Sequence, residues 1–313
     1  METASCPISN SKEFTQYIQV PDRFDCSGKA LWNLVRSCDS GLIMLNPRPD
    51  GDEIAQHYRS GVYDPYLHSK NSATLRDRAY LAARTLLLRY RADLIMKGHA
   101  KPMEQCRILE IGCSTGDLLN YFHRTLNAAI DNLVGVEPDA EAAQYARNSF
   151  GLNIFSSITK ESVGMKTFDR IVLWHTLEHI HSINETLNHA VNQLKQEGVL
   201  VIALPNPASF DAEYYGENWI AYDAPRHLYH FVPETLEKLL RSHKLTIFRR
   251  LPYFPDVLYN AFHSEALRCK RQNHSFNSLR FVDILWRSLC YLIRGKMLPM
   301  RASSLVYYAR RTM

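Results

Sequence analysis

From about residue 105 onward, short apolar runs alternate with longer stretches in which apolar residues recur every three or four positions. The short runs indicate buried strands, and the longer spacing indicates helices that pack against them. This alternation is typical of an α/β protein in which a parallel sheet is covered by helices on both faces. The predicted strands, in chain order, cover residues 107–111, 132–136, 152–155, 168–174, 199–204, 245–251 and 304–309.

The most informative pattern joins the first predicted strand to the next helix. Residues 108–111 lead into a turn of small residues, 112–116, and helical spacing of apolar residues begins at Leu118. Such a turn lets a ligand approach the backbone at a helix N-terminus, outside the carboxyl end of a strand. Glu137 ends the next strand about 20 residues later, where a carboxylate can accept hydrogen bonds from ribose hydroxyls.

The composition of this turn distinguishes between nucleotide ligands. It lacks the Gly-x-Gly-x-x-Gly pattern of pyrophosphate-binding loops, and it is preceded by an acid, Glu110. A carboxylate at that position would repel a diphosphate but can bind an ammonium group. The pattern therefore favours S-adenosylmethionine (SAM), whose amino-acid tail carries an ammonium group and which has no phosphate.

Three motifs resemble those of class I SAM-dependent methyltransferases. Residues 110–116 resemble the family's first motif, with Ser114 in place of the glycine often found at its centre. Residues 134–139 resemble the second motif, and residues 168–179 resemble the fourth strand and its following turn. The resemblance spans roughly residues 105–204. It implies a Rossmann-like fold with a seven-stranded, mostly parallel sheet, whose seventh strand inserts antiparallel beside the sixth.

The resemblance also implies which residues bind the cofactor. The predicted cofactor-binding residues are Glu110, Gly112, Cys113, Ser114, Gly116, Asp117, Glu137, Pro138, Trp174 and His175. In the family, the residues just after the fourth strand flank the adenine and the reacting methyl group, so His175 is also a predicted catalytic residue. We expect Glu178 and His179, which follow shortly, to cap and pack the next helix.

A second segment, residues 218–231, is denser in functional side chains than a connection between elements requires. It is similar to a Trp…Asp-x-Pro-Arg-His-Leu…His-Phe signature of one methyltransferase subgroup. His227 is a predicted catalytic residue because imidazole titrates near neutrality and can accept a proton. Arg226 can bind a substrate carboxylate or phosphate or, alternatively, pair with Asp223 and fix the loop. The predicted substrate-binding residues are Tyr63, Trp219, Asp223, Arg226, His227 and His230.

Residues 1–50 are predicted to form a lead-in that resembles a zinc ribbon without its metal. In the resembling subgroup, two cysteine pairs precede an Asn-Pro-Arg-Pro segment. Here Cys6 alone remains of the first pair, and Ser37 and Ser40 occupy the positions of the second. Because a structural zinc site needs four ligands, we predict no metal. The alternative, zinc held by three scattered cysteines and a histidine, has no supporting spacing.

The rest of the chain divides into four predicted parts. These are a lid and linking helix at 51–104 with Tyr63 in the lid, the SAM-binding core at 105–251, a helical cap insertion at 252–302, and the last core strand at 303–313. Within the insertion, residues 281–293 have the pattern of a basic amphipathic helix, with a partner at 258–267. Such a helix can also lie on an anionic membrane. The sheet topology favours the cap, because it places the insertion on the substrate side.

Composition narrows the class of protein further. The chain has 313 residues and a net charge of +5, but no basic segment interleaved with exposed aromatics, so we predict no nucleic-acid partner. Its seven cysteines show no paired framework, and the chain shows no signal peptide and no run of eighteen apolar residues. These features predict a protein of the reducing cytoplasm.

Together these patterns predict a cytoplasmic, SAM-dependent methyltransferase that acts on a small molecule. O-methylation is favoured over C- or N-methylation, because a histidine base suits a hydroxyl acceptor. Sugars and polyketide-like or quinone-like aromatics are acceptors that the resemblance alone suggests. Two alternatives stay open: a nicotinamide-dependent Rossmann oxidoreductase, and a non-catalytic protein that binds SAM.

Overall fold

The computed structural model describes residues 1–25, 30–58, 75–159, 163 and 167–312, with the main chain alone for 75–82. The predicted lid residue, Tyr63, lies outside the described residues. The strands are β1 Phe14–Pro21, β2 Leu31–Ser37, β3 Ile43–Leu45, β4 Ile108–Ile111, β5 Leu133–Val136, β6 Asn153–Phe155, β7 Phe168–Trp174, β8 Leu194–Pro205, β9 Tyr229–His230, β10 Leu245–Pro252 and β11 Ser304–Arg311. The helices are α1 Leu75–Ile95, α2 Asp117–Leu126, α3 Ala140–Phe150, α4 Ile183–Gln193, α5 Phe210–Tyr215, α6 Pro233–Ser242, α7 Pro255–Arg271 and α8 Ser278–Met297.

The larger sheet has the strand order β10-β11-β8-β7-β4-β5-β6. β4 pairs in parallel with both β5 and β7, and β7 pairs in parallel with β8. β11 runs antiparallel to both of its neighbours, β8 and β10. The predicted α/β fold, with a seven-stranded, mostly parallel sheet and an antiparallel seventh strand, is therefore confirmed.

Both faces of this sheet are covered, so its central strands are buried throughout. Every residue of β4, β5 and β7 is buried. Along β8, Leu200 and Ile202 join one apolar cluster, while Val201 and Ala203 join the other on the opposite face. This two-sided burial explains why the strands appear in the sequence as continuous apolar runs rather than alternating ones.

One predicted boundary is wrong: the fifth core strand, β8, begins at Leu194 rather than at Val199. The polar residues between these positions suggested a turn, but the chain there already runs beside β7, where Leu194 pairs with Phe168. A side chain at Gly198 would lie 2.9 Å from the Phe168 carbonyl oxygen. Gly198 therefore allows the close approach of the two strands; it does not end the preceding helix.

The smaller sheet combines the lead-in with a distant part of the chain. Its order is β1-β2-β3-β9, and β3 pairs antiparallel with β9 through Ile43 opposite His230 and Met44 opposite Tyr229. The lead-in is thereby joined to the segment that contains the predicted substrate-binding residues. In the lead-in, the Cys6 Sγ lies 3.1 Å from the Ser40 Oγ, so hydrogen bonding links the positions that match zinc ligands in the resembling subgroup. Its resemblance to a zinc ribbon stays a prediction.

The insertion before the last strand consists of the paired helices α7 and α8. Asn277 caps the first turn of α8, since its side-chain oxygen accepts the backbone N–H of Arg280 at 3.0 Å. Among the described residues, no helix is both long and apolar enough to cross a membrane.

Candidate active site

The turn after β4 has the backbone geometry that its small residues suggested. Gly112 and Gly116 both have positive φ, at 75° and 76°. A Cβ at Gly112 would collide with the Thr176 side chain, and a Cβ at Gly116 would lie 2.7 Å from the Leu152 Cδ1. Glycine is required at both positions, because the backbone is left-handed and its neighbours leave no room.

Glu137 and the turn are joined directly. The Glu137 carboxylate accepts the backbone N–H of Ser114 at 2.8 Å and that of Asp139 at 3.0 Å. Burial raises the pKa of Glu137, and these two backbone donors oppose that rise. A carboxylate offers about four acceptor positions, so lone pairs remain for ribose hydroxyls at the end of β5.

Glu110 is the most informative member of the predicted cofactor site. Its side chain is only 6% exposed, and its Oε2 is buried without a hydrogen-bond partner in the part of the chain that the structure describes. Burial raises its pKa to about 8, although Arg91 partly opposes this. A buried carboxylate without a partner is unfavourable on its own, but it fits the ammonium group of the SAM amino-acid tail.

Three further predicted cofactor residues, Cys113, Asp117 and Pro138, lie in or near the turn. Cys113 is buried, and Asp117, the first residue of α2, forms an ion pair with Arg84 and accepts a hydrogen bond from the Thr115 hydroxyl at 3.2 Å. Arg84 thereby links α1 to the cofactor turn. Pro138 follows Glu137 directly and leads into α3.

Trp174 and His175 lie where β7 ends. The Trp174 ring packs edge-on against Tyr253 with centroids 5.0 Å apart, and its Nε1 is buried without a described partner. His175 has a positive φ of 51°, and its Nε2 lies 3.0 Å from the Asp256 carboxylate. Burial opposes charge on His175, but Asp256 and Glu178 outweigh it and raise its pKa to about 9. His175 is therefore cationic at neutral pH.

Arg226 is fully engaged by other protein groups. It is 1% exposed, and it donates from Nε and Nη2 to the Asp223 carboxylate at 2.9 and 2.7 Å. Its Nη2 also donates to the Asp22 carboxylate of the lead-in at 2.9 Å. The pairing of Asp223 with Arg226, the alternative considered from the sequence, is present. Binding of substrate by these two residues remains a prediction.

Trp219 is also held within the protein. It is buried, and its indole N–H donates to the Asp211 carboxylate at 2.8 Å. The Ser303 hydroxyl donates to the same carboxylate at 2.6 Å. The structure thus places Trp219 beneath the segment, where it supports the loop that carries the histidines.

The histidines of this segment cluster with one from the turn after β7. The rings of His179 and His227 are 4.5 Å apart in an edge-on arrangement, and the His230 ring lies 6.2 Å from that of His227. Burial lowers the pKa of His227 well below its ordinary value, and lowers the pKa of His230 to about 3. Both side chains are therefore neutral at physiological pH.

Glu178 and His179, expected to serve as helix-capping residues, belong to this cluster. One ligand atom from each of Glu178, His179 and His227 lies within 4.8 Å of the others. In the sequence, only the adjacent Glu and His shortly after the end of β7 pointed to a role for these two residues. No sequence signal pointed to Asp256, which meets His175 from the start of α7.

Comparison with known proteins agrees with this geometry. A family model described as a methyltransferase domain matches residues 66–248. A ubiquinone biosynthesis O-methyltransferase from Rhizobium etli is 28% identical over 175 residues, which cover 51% of this chain and 68% of that protein. A protein of the same name from Rickettsia bellii is 22% identical over 112 residues, which cover 36% of this chain. The chain thus spans about half, 47%, of the Rickettsia protein's length.

Solved structures of methyltransferases are among those that align with this chain. Magnesium protoporphyrin IX methyltransferase from Synechocystis, solved with bound S-adenosylhomocysteine (SAH), aligns with a TM-score of 0.49 at 11% identity. The alignment covers 84% of this chain and 100% of that one. The family model covers more than half of the chain, and the buried Glu110 fits the ammonium tail that SAM carries. The chain therefore belongs to the methyltransferase-domain family.

Proposed function

We propose that the protein transfers a methyl group from SAM to a hydroxyl oxygen of a small molecule. The observation that carries the proposal is the histidine cluster beside the end of β7, formed by His179, His227 and His230, in which burial keeps His227 and His230 neutral. Relatives named O-methyltransferases support the same acceptor atom, at low identity. The predicted cofactor residues around Glu110 and Glu137 would hold SAM on the neighbouring strands.

The reaction is an in-line displacement, in which the acceptor oxygen bonds to the methyl carbon while the sulfur keeps the electron pair of the broken bond. The cofactor supplies the electrophilic methyl group on its sulfonium. The protein must align the acceptor, exclude water and provide a route for the hydroxyl proton.

His227 and His175 are suited to different tasks in this reaction. The His227 Nδ1–H donates to the Ala221 carbonyl oxygen at 2.8 Å, which leaves a lone pair on Nε2. This neutral imidazole can interact with the acceptor hydroxyl. His175 is held as a cation by Asp256. We therefore assign it a positioning and electrostatic role, not that of resting proton acceptor.

The acceptor class that we propose is a hydroxylated aromatic of the quinone type. The names of the relatives suggest it. Trp219 and His230 are buried in the structure, and their contact with the substrate remains a prediction. Roles in substrate binding for Tyr63, Asp223 and Arg226 remain predictions within this proposal.

The test is a screen of catechols, phenols and hydroxyquinones with methyl-labelled SAM, followed by location of the label by NMR. We expect a labelled methyl ether, and Glu110→Gln should reduce its formation. The matched control is Glu104→Gln, which removes a carboxylate from the turn before β4. Label on a carbon or nitrogen atom, with no methyl ether from any hydroxyl acceptor, would contradict O-methylation.

A second proposal concerns the insertion, which we infer contacts an anionic membrane surface. Along α8 the large apolar side chains at helical spacing are exposed to solvent, with Trp286 the most informative at 65%. The exposed apolar residues of α8 are Leu279, Phe281, Val282, Leu285, Trp286, Leu289, Ile293 and Met297. Arg280, Arg287, Arg294 and Lys296 lie on the same helix. A helix of this composition binds at the interface of anionic lipids, and this exposure favours the membrane over the predicted cap.

Sedimentation with vesicles tests this contact. We expect binding to phosphatidylglycerol vesicles, weaker binding to phosphatidylcholine vesicles, and loss of binding in a Leu285→Ser, Trp286→Ser double variant. The matched control is Leu86→Ser, which alters an exposed leucine of α1. Equal sedimentation of the double variant and the wild type would contradict the proposal. A cytoplasmic location and the lack of a nucleic-acid partner remain predictions.

A further inference from the structure

Three side chains of metal-binding type converge beside the end of β7. Glu178 and His179 lie on the short turn Leu177–His179 that follows this strand, and His227 precedes β9. The backbone N–H of Leu228 donates to the Glu178 carbonyl oxygen at 2.8 Å, so the two segments are fixed against each other. One ligand atom from each side chain lies within 4.8 Å of the other two.

The separation of these atoms is close to that of a metal site. Zinc bonds of about 2.1 Å in a tetrahedral arrangement place ligand atoms about 3.4 Å apart. Small side-chain rotations that move each ligand atom by about one ångström would therefore bring the three atoms to bonding distance. The turn and the segment before β9 already hold these side chains close together.

Glu178 supplies an independent argument for a bound cation. It is 1% exposed, and neither carboxylate oxygen has a hydrogen-bond partner among the described residues. The His175 Nδ1 lies 3.6 Å away, but the same ring is already paired through Nε2 with Asp256 at 3.0 Å. A buried carboxylate this poorly satisfied is unfavourable unless a further cation binds it.

Both histidines are oriented as metal ligands usually are. The His227 Nδ1 lies 2.8 Å from the Ala221 carbonyl oxygen, and the His179 Nδ1 lies 3.0 Å from the Arg226 carbonyl oxygen. A carbonyl oxygen can only accept, so each Nδ1 is assigned the proton and each Nε2 keeps its lone pair. For His179, the Tyr58 hydroxyl oxygen, 2.8 Å from Nδ1, is then a second acceptor. Metal-bound histidines typically have this second hydrogen bond to a carbonyl or carboxylate, which fixes the ring and its tautomer.

We propose that Glu178, His179 and His227 bind one divalent transition-metal ion, of which Zn²⁺ is the probe chosen here. Two imidazoles and a carboxylate suit such an ion, and three protein ligands leave at least one position open. The next step rests on the proposed function: the open position takes the acceptor hydroxyl. The ion lowers the pKa of that hydroxyl, its proton passes to water, and the oxygen attacks the methyl carbon. His227 then acts as a ligand in place of a proton acceptor.

Direct metal binding tests the site without relying on activity. The full chain is freed of metal with a chelator, and Zn²⁺ is titrated in competition with a chromophoric chelator. We expect one equivalent per chain in the wild type, and affinity reduced at least about 100-fold in Glu178→Gln and His179→Ala, because even outer-sphere changes cost up to about that much. The matched control is His123→Ala, whose Nδ1 also lies 3.0 Å from a carbonyl oxygen, that of Ala128, but which has no place in the cluster.

Two further measurements keep the outcomes separate. The visible absorption of the Co²⁺-loaded wild type should show low-symmetry coordination. This measurement reports metal binding by the wild type itself, so it does not depend on whether a variant folds. SAH titrations on the same metal-free samples report the cofactor site. SAH binding without stoichiometric Zn²⁺ binding, or Zn²⁺ binding that Glu178→Gln and His179→Ala leave unchanged, would overturn the metal site and leave the proposed function standing. Zn²⁺ binding without methyl transfer to any hydroxyl would support the metal site and contradict O-methylation.

Discussion

The cofactor half and the acceptor half of this site differ in how far apart their residues lie along the chain. The cofactor half occupies one strand–helix–strand unit, from Glu110 to Glu137. The acceptor half joins Asp22 of the lead-in, the turn after β7, the segment before β9 and Asp256 of α7. A motif read from the sequence therefore describes the first half well and the second half only in part.

The two halves also differ in how their buried charges are satisfied. In the cofactor half, Glu110 is buried with an oxygen that has no described partner. In the acceptor half, Arg226 is paired with two carboxylates, and His175 is paired with Asp256. We therefore expect the cofactor half to be completed by its ligand, whereas most of the acceptor half is stabilised internally, with Glu178 as the exception.

Removal of Arg226 should have the largest effect and would show how strongly the acceptor half depends on internal pairing. Among the described residues, Arg226→Ala leaves Asp22 without its guanidinium partner and leaves Asp223 with Arg23 as its remaining one. Breaking a buried pair in this way costs about 3–5 kcal/mol. Urea unfolding should show this loss, and SAH affinity of the folded fraction should be unchanged. The control is Arg241→Ala, which breaks an exposed pair with Glu237 on α6. Unchanged stability, with weaker binding of the acceptor, would instead assign Arg226 to substrate binding.

The cofactor half should be broken most effectively at Gly112. Gly112→Val places a branched side chain at a φ of 75° and against Thr176, which should displace the turn that we predict to hold SAM. We expect calorimetric SAH affinity to fall at least about 100-fold, equivalent to about 2.7 kcal/mol. Glu137→Ala should also weaken SAH binding.

The control for Gly112 is Gly216→Ala. Gly216 also has a positive φ, 53°, but a Cβ there meets no atom within 4 Å. It should retain SAH binding despite a small cost in stability. If Gly112→Val bound SAH as the wild type does, the assignment of the turn to the cofactor would be incorrect.

Binding of SAH should release protons from Glu110. Because its pKa is raised to about 8, the carboxyl group is mostly protonated at pH 7, and an ammonium ligand should displace up to about 0.9 proton. Calorimetry in buffers of different ionisation enthalpy measures this release, which Glu110→Gln should abolish.

The raised pKa of Glu110 also predicts how the stability of the ligand-free protein changes with pH. The folded protein binds this proton more tightly than the unfolded chain, whose ordinary pKa is 4.5. The ligand-free protein should therefore lose stability as the pH rises from about 4.5 towards about 8. Urea titrations should show a smaller loss in Glu110→Gln. An identical pH dependence in both proteins would mean that Glu110 does not carry the shifted pKa.

The smallest predicted effect concerns Asp256 and His175. In Asp256→Asn, the pKa of His175 should fall by about one unit or more, because the nearest carboxylate is removed. Histidine NMR titrations measure this change, with Asp283→Asn, on the exposed face of α8, as the control. The stabilisation from His175 should be complete below pH 6.5 and lost as the pH rises through about 9. A His175 pKa that is the same in both variants would contradict the assigned pair.

Local patterns in the sequence were sufficient to predict the strands of the sheet and the tight turn after β4, and the family resemblance supplied the antiparallel seventh strand. Continuous apolar runs identify strands buried on both faces, and the small residues at 112–116 specify a turn between β4 and α2. These signals are local, since periodicity and turn chemistry act over a few residues. The start of β8 was predicted incorrectly, because Gly198 reports a close strand contact and not a turn.

The tertiary structure decided which distant residues meet at the acceptor half. Pairing of β3 with β9 brings the lead-in to His230, and the start of α7 brings Asp256 to His175. It also places Glu178 and His179 beside His227, although their spacing predicted only helix capping and packing. Such contacts depend on strand pairing and helix docking between segments far apart in the chain. Sequence alone therefore determined the methyltransferase framework, whereas folding determined the charge pairs and the candidate metal site.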